Sequence, residues 1–294
     1  MEADIGDLTL LLRTELTAVH QQFFHMLALR QWKNDELLRR VTAIDTEDFK
    51  NSMQIIDLLV ANGLPITLGS HRVLPGSDAA TVVRSELQME EYFADVLEKI
   101  EVADPDAQAR VERASAPRQE YREWLTSRSD DRNDANANDE TGKFLAEFLA
   151  HLIALVEQPM LHAFSLWHAG DRASADNAWR LSGAAMLYGT ALIRRGAAKD
   201  RVPVPAHIPG VRMAANASKG LADDLVLVRQ CADLGRAAAE VEARQDAAMG
   251  RLCVRIADDC ELISDMKPDR EFPAIFGRSP AFESFGTTRD RHLS

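Results

Sequence analysis

Between Leu8 and Arg30 the apolar side chains Leu8, Leu11, Leu12, Leu16, Val19, Phe23 and Leu27 recur at three- and four-residue intervals. Only an α-helix gathers such a spacing into one continuous face. The same period dominates the rest of the chain, so its core must be built by packing helix faces against helix faces.

A second helix is expected from a cap at Asp45 or Thr46, through Phe49, Met53, Ile56, Leu59 and Val60, to a stop at Gly63 and Pro65. A long connection over 64–78 carries Gly69, Pro75 and Gly76. A third helix is expected over 77–101, and Asp104-Pro105 opens a fourth that runs to about 128. Residues 129–142, crowded with Asp and Asn, hold nothing that can enter a core and read as a flexible linker. Helices follow over 143–169 and 172–195, then a Pro/Gly-containing connection over 197–211 and two helices within 212–265. The segment 267–294 interleaves prolines and glycines with Phe272, Phe276, Phe282 and Phe285, an irregular tail whose aromatics suit docking.

The two halves are alike. His20-Gln-Gln-Phe-Phe-His25 lies over Glu157-Gln-Pro-Met-Leu-His162, Gly63 over Gly196, and Leu74-Pro-Gly76 over Ile208-Pro-Gly210, after which Glu90 falls on Asp224. An ordered set of matches at nearly constant offset is the mark of duplication. The length of 294 residues, about twice a typical domain, agrees. The expected units are a first domain over 1–128, the linker 129–142, a second domain over 143–266 and the tail 267–294.

Acidic residues outnumber basic ones by 46 to 34, for a net charge of −12. That field repels nucleic acid and anionic membranes, and neither is expected as a partner. Cys231, Cys253 and Cys260 form no disulfide framework and are expected as buried thiols in a reducing compartment. The N-terminus lacks the pattern of a signal peptide, and the longest apolar run, about 148–156, is broken by His151 and too short for a bilayer. A cytoplasmic location is expected. No Gly-rich phosphate loop, nucleophile elbow or catalytic-triad spacing occurs.

The first half resembles bacterioferritin. The resemblance rests on Glu15-Leu-Thr-Ala-Val-His-Gln-Gln-Phe-Phe-His25, on Ala61-Asn-Gly-Leu-Pro65, on Arg84-Ser-Glu-Leu-Gln-Met-Glu90, and on the spacing between these blocks. The second half resembles the family through Leu161-His162-Ala163 and its repeat relation to the first. The fold implied is all-α: two tandem ferritin-like four-helix bundles, each up-down with a long crossover, followed by the irregular tail. The family's di-iron site takes a glutamate from each of two helices and a Glu-x-x-His pair from each of the other two. Matched residue by residue, Glu15, Glu47 and Glu90 are the metal candidates, while Lys50, Arg118 and Tyr121 stand at the remaining ligand positions. A different register of the fourth helix would turn Glu112, Glu120 or Glu123 inward instead. The second-half positions are Leu152, Arg180, Gly183 and Asp224, a set that cannot hold two irons. Asp48 and Leu181 stand where the family places its haem-ligating methionine, so no haem is expected.

Two readings of the first-half site follow. Glu15, Glu47 and Glu90 could hold one or two irons, with His20, His25 or Tyr121 recruited, in an iron-binding protein or iron-dependent oxidase. Alternatively Lys50 and Arg118 neutralise the carboxylates, leaving a degenerate ferroxidase site in a protein with a structural or partner-binding role, as a homo-oligomer or with another protein. Charge arithmetic favours the second, since a lysine ammonium cannot ligate iron and repels it at close range. The match of His25 with His162 points to a shared hydrogen-bonding role rather than to ligation.

Overall fold

The computed structural model describes residues 2–69, 71–74, 76, 78–100, 105–129, 143–197, 199, 205, 207–214 and 216–265. The expected linker, apart from Ser129, and the expected tail lie outside these residues, as does Asp104, the expected cap of the fourth helix.

Among the described residues the chain is all-α, with eight helices and four two-residue strands. In order these are α1 (Glu2–Gln31), α2 (Asp35–Ala61), β1 (Thr67–Leu68), β2 (His71–Arg72), α3 (Ala79–Lys99), α4 (Pro105–Thr126), α5 (Lys143–His168), α6 (Arg172–Ala197), β3 (His207–Ile208), β4 (Val211–Arg212), α7 (Ala217–Glu242) and α8 (Ala247–Ser264).

Helix α2 begins ten residues before the cap read from the sequence. Lys33 takes a positive φ of 56°, and the Asn34 side chain accepts from the Leu37 amide at 3.2 Å. Asp35 and Glu36 then sit in the first turn, where the helix dipole favours them. Thr46 is mid-helix, its hydroxyl donated to the Thr42 carbonyl. The stop is as expected: Gly63, with φ +69°, sends its amide to the Val60 carbonyl and lets the chain leave the helix. Helix α3 opens on a reciprocal cap between Asp78 and Thr81.

The two halves use the same pairing scheme. Helix α1 packs along α2 and α3, and α4 packs against both α2 and α3; α5 packs along α6 and α7, and α8 against α6 and α7. The halves meet through α2 with α5 and α1 with α6, contacts that exchange when the two halves are interchanged. The two connections also pair with each other. Strand β1 runs antiparallel to β4 (Thr67 opposite Arg212, Leu68 opposite Val211), and β2 to β3 (His71 opposite Ile208, Arg72 opposite His207). The Met213 amide extends the pairing to the Ile66 carbonyl at 2.8 Å.

Apolar burial runs through this junction. Leu11, Leu12, Ile56 and Leu59 of the first half share a core with Ala154, Leu161 and Phe164 of the second. Phe24 and Val73 pack with Leu149, Ile153, Ile193 and Ile208. Each such leucine, isoleucine, valine or phenylalanine, fully buried, contributes about 2 kcal/mol. Helix α5 is long and apolar enough, by length and composition, to cross a membrane, and is longer in that respect than the run read from the sequence; 72% of its most apolar window is buried within the protein. Cys231, Cys253 and Cys260 are buried free thiols in the core of the second half.

Candidate functional site

Each of the first four helices sends a charged side chain to one buried point. Glu15 comes from α1, Asp48 from α2, Glu90 from α3 and Arg118 from α4, and none is more than 4% exposed. The Arg118 guanidinium occupies the centre. Its Nη1 donates to Glu90 Oε1 at 2.7 Å and its Nη2 to Glu15 Oε2 at 3.2 Å. Nη2 also lies 2.5 Å from Asp48 Oδ1, an ion contact outside hydrogen-bond alignment. The Phe93 ring closes one side, its centroid 3.2 Å from the guanidinium carbon. Gln22 Nε2 holds the other Asp48 oxygen at 2.9 Å.

A second layer adjoins this one. Tyr121 donates to Glu86 Oε2 at 2.9 Å, and His25 Nδ1 lies 2.5 Å from Glu86 Oε1, with His25 Nε2 2.7 Å from the Leu74 carbonyl. Four buried carboxylates thus face one guanidinium and one imidazole. Burial pushes the Glu15 carboxyl well above its ordinary pKa, helped by the charge of Asp48 and opposed by Arg118. Asp48 is also raised by burial, against the pull of Arg118, and Glu90 is raised to about 7 for the same reason. Burial disfavours charged Arg118, but Asp48, Glu90 and Glu15 outweigh it and hold the guanidinium pKa above its ordinary value. Burial and then the Glu86 charge push the Tyr121 hydroxyl far up. Glu15 Oε1 and Glu90 Oε2 have no hydrogen-bond partner. Raised carboxyls around one fixed cation lessen the negative charge that has to be buried here.

Of the residues singled out from the sequence, Glu15, His25, Glu90, Arg118 and Tyr121 come together in this region. Glu47 and Lys50 do not: they pair with each other at 2.8 Å, both about half exposed. The buried stripe of α2 runs Leu37, Val41, Ile44, Asp48, Ser52, Ile55, Leu59. One residue is about 100° around a helix, so with Asp48 in the stripe Glu47 is turned to the surface. Glu112, Glu120 and Glu123 are exposed, while Arg118 and Tyr121 turn inward beside the apolar Val111 and Leu125. Asp48 and Glu86 were missed; Asp48 was legible as the continuation of a three-four stripe that begins at Leu37.

Among the described residues, the second half repeats the histidine–acid pair of the second layer and has no counterpart of the guanidinium cluster. His162 Nδ1 lies 2.9 Å from Asp224 Oδ1 and its Nε2 3.2 Å from the Arg212 carbonyl, the same two kinds of contact that His25 makes. His162 follows His25 by 137 residues and Asp224 follows Glu86 by 138. Asp224 therefore corresponds to Glu86 and not, as the sequence match had it, to Glu90. At the same offsets Glu15 and Glu90 become Leu152 and Val228, both buried in an apolar cluster. Arg180 pairs with Asp176 at 3.7 Å and Gly183 is exposed.

His20 is not part of either layer. Its Nε2 lies 3.6 Å from Oε1 of Glu157 on α5, a fully buried carboxyl raised by burial to about 8. That distance is beyond a hydrogen bond, so burial dominates.

Among the described residues no group of three or more His, Cys, Asp or Glu could hold a metal ion. The di-iron pair that the resemblance implies does not fit the residues present, because the guanidinium takes the point on which Glu15, Asp48 and Glu90 converge. The chain matches no family model, no curated protein and no solved structure.

Proposed function

We propose that this protein is a tandem ferritin-like scaffold, cytoplasmic, in which two four-helix bundles take the place of a symmetric pair of subunits and a tethered guanidinium takes the place of metal. Its role on this reading is to hold a partner, whether another protein or further copies of itself, and not to oxidise iron. The observation that carries the reading is the convergence of Glu15, Asp48 and Glu90 on Arg118, one residue from each helix of the first half. A di-metal site needs its carboxylates to meet around a cation, and here the cation is covalent and permanent. The like pairing of helices in the two halves, the antiparallel meeting of the two connections, and the matching roles of His25 and His162 support the duplication.

Arg118→Glu tests this. It removes the cation and supplies a carboxylate on the helix where the family has one. The variant is expected to acquire binding of Fe(II) or Co(II) that the native chain lacks, read by equilibrium dialysis. Arg118→Met, which removes the charge but adds no ligand, is expected to acquire none. Equal metal uptake by the native chain and Arg118→Glu would overturn the reading.

The second reading, an iron site built on the first half, has one observation in its favour: the partnerless Glu15 Oε1 and Glu90 Oε2. It requires Arg118 to leave the centre and predicts stoichiometric iron in the native chain.

A further inference from the structure

Away from the buried network, a half-open cleft of about 390 Å³ lies between α1, α3 and the paired connections. Its size falls in the range that accepts a small organic molecule. The chain carries a net charge of −12, yet among the described residues that line the cleft none is acidic, and Arg13, Arg72 and His207 are all there.

The strand pairing explains how they converge. Arg72 and His207 stand directly opposite each other in the antiparallel pairing of β2 and β3, so their side chains share one face. Two basic groups so placed gain nothing from each other. An anion between them turns the juxtaposition into a binding arrangement, since Arg supplies a fork of N–H donors and imidazole supplies an N–H in either protonation form. Arg13 reaches the same place from α1: its guanidinium lies over Gly69, where an added Cβ would be 3.6 Å from it.

The remainder of the cleft suits an organic body. Met89 and Tyr92 lie on its α3 side, and Tyr92 is half exposed. The floor is fixed in advance. The Leu74 amide donates to Gln21 Oε1 at 3.1 Å, and Gln21 Nε2 donates to the Ser85 carbonyl at 3.0 Å. Such a floor costs little ordering on binding.

We propose that this cleft binds a small organic oxyanion, its phosphate or carboxylate held by Arg72, His207 and Arg13 and its body laid against Met89 and Tyr92. The site draws on both halves, because Arg72 comes from the first connection and His207 from the second. It is independent of whether the buried network ever holds metal.

Isothermal titration of the full chain with phenyl phosphate and, separately, benzoate tests it. One-to-one binding of at least one probe is expected, and the stronger binder identifies the source of the oxyanion as a phosphate ester or a carboxylic acid. Arg72→Ala, on an exposed side chain, is expected to weaken that binding about ten- to hundred-fold, with His207→Ala weakening it in the same direction. Arg40→Ala, which removes an exposed guanidinium from the far pair with Glu120, is expected to leave it unchanged. Far-UV circular dichroism checks that each variant keeps its helices. No binding of either probe at about 5 mM, where an affinity of mere ion pairing would already register, would overturn the proposal. So would binding that Arg72→Ala and Arg40→Ala affect equally.

Discussion

His20 and Glu157 face each other where the two halves meet, Nε2 3.6 Å from Oε1, and each stands five residues before the histidine that binds the third-helix acid of its own half. On a true two-fold axis a residue meets its own copy. An imidazole facing a carboxyl at equivalent positions is available only when the two copies can differ. Under the proposed duplication, fusion is what allowed this unlike pair.

Glu157 then makes stability depend on pH. Its carboxyl is raised from an ordinary 4.5 to about 8, and Glu90 and Asp45 are raised to about 7. Groups with raised folded-state values bind more protons folded than unfolded, so stability with respect to these groups is greatest below their unfolded values, 4.5 for the glutamates and 3.8 for Asp45, and falls as pH rises to 8. Glu157→Gln is expected to flatten the fall and to stabilise the protein at pH 8, on the order of a few kcal/mol. Urea unfolding at pH 5.5, 7 and 8.5 checks it; identical slopes in the two proteins would refute the burial argument.

Arg118→Ala leaves Glu15, Asp48 and Glu90 without their cation. Breaking a buried ion pair from one side costs about 3–5 kcal/mol. The loss is expected to be smaller at pH 5.5 than at pH 8, because protonated carboxyls need the guanidinium less. Denaturation midpoints at both pH values measure it.

Asp48 and Glu47 are neighbours with opposite fates. Asp48→Ala removes the Gln22 hydrogen bond and the Arg118 contact, and is expected to destabilise by about 2–3 kcal/mol. Glu47→Ala breaks only a half-exposed pair with Lys50 and is expected to stay within about 0.5 kcal/mol of the native protein. Equal effects would place the wrong residue inside.

Gly76 takes φ +69°, and a Cβ there would lie 2.8 Å from a Val82 methyl and 2.9 Å from the Val82 amide nitrogen. Gly76→Ala is expected to destabilise by about 1–3 kcal/mol, since both the backbone and the neighbour resist it. Thermal unfolding is the check.

The helices were legible because three-four periodicity is a property of each segment alone. So was the kinship of His25 and His162, which lie in the middle of matched helices. What failed was register. Matching the halves on Pro-Gly pairs in the connections set Asp224 against Glu90, one helical turn from its counterpart Glu86, because connections absorb insertions that packed helices do not. Reading α2 from a cap at Asp45 hid the stripe from Leu37 to Ile44 that carries Asp48 inward. The face-to-face position of His20 and Glu157 could not be read at all, since it belongs to the packing of the halves and not to any segment.

The central claim is that the cation of this site is Arg118. Elemental analysis of the full native chain, loaded anaerobically with ferrous iron and desalted, beside Glu15→Ala treated in the same way, tests it most directly. The account predicts no stoichiometric iron in the native chain and no difference from the variant. Stoichiometric iron in the native chain that disappears in Glu15→Ala would contradict it.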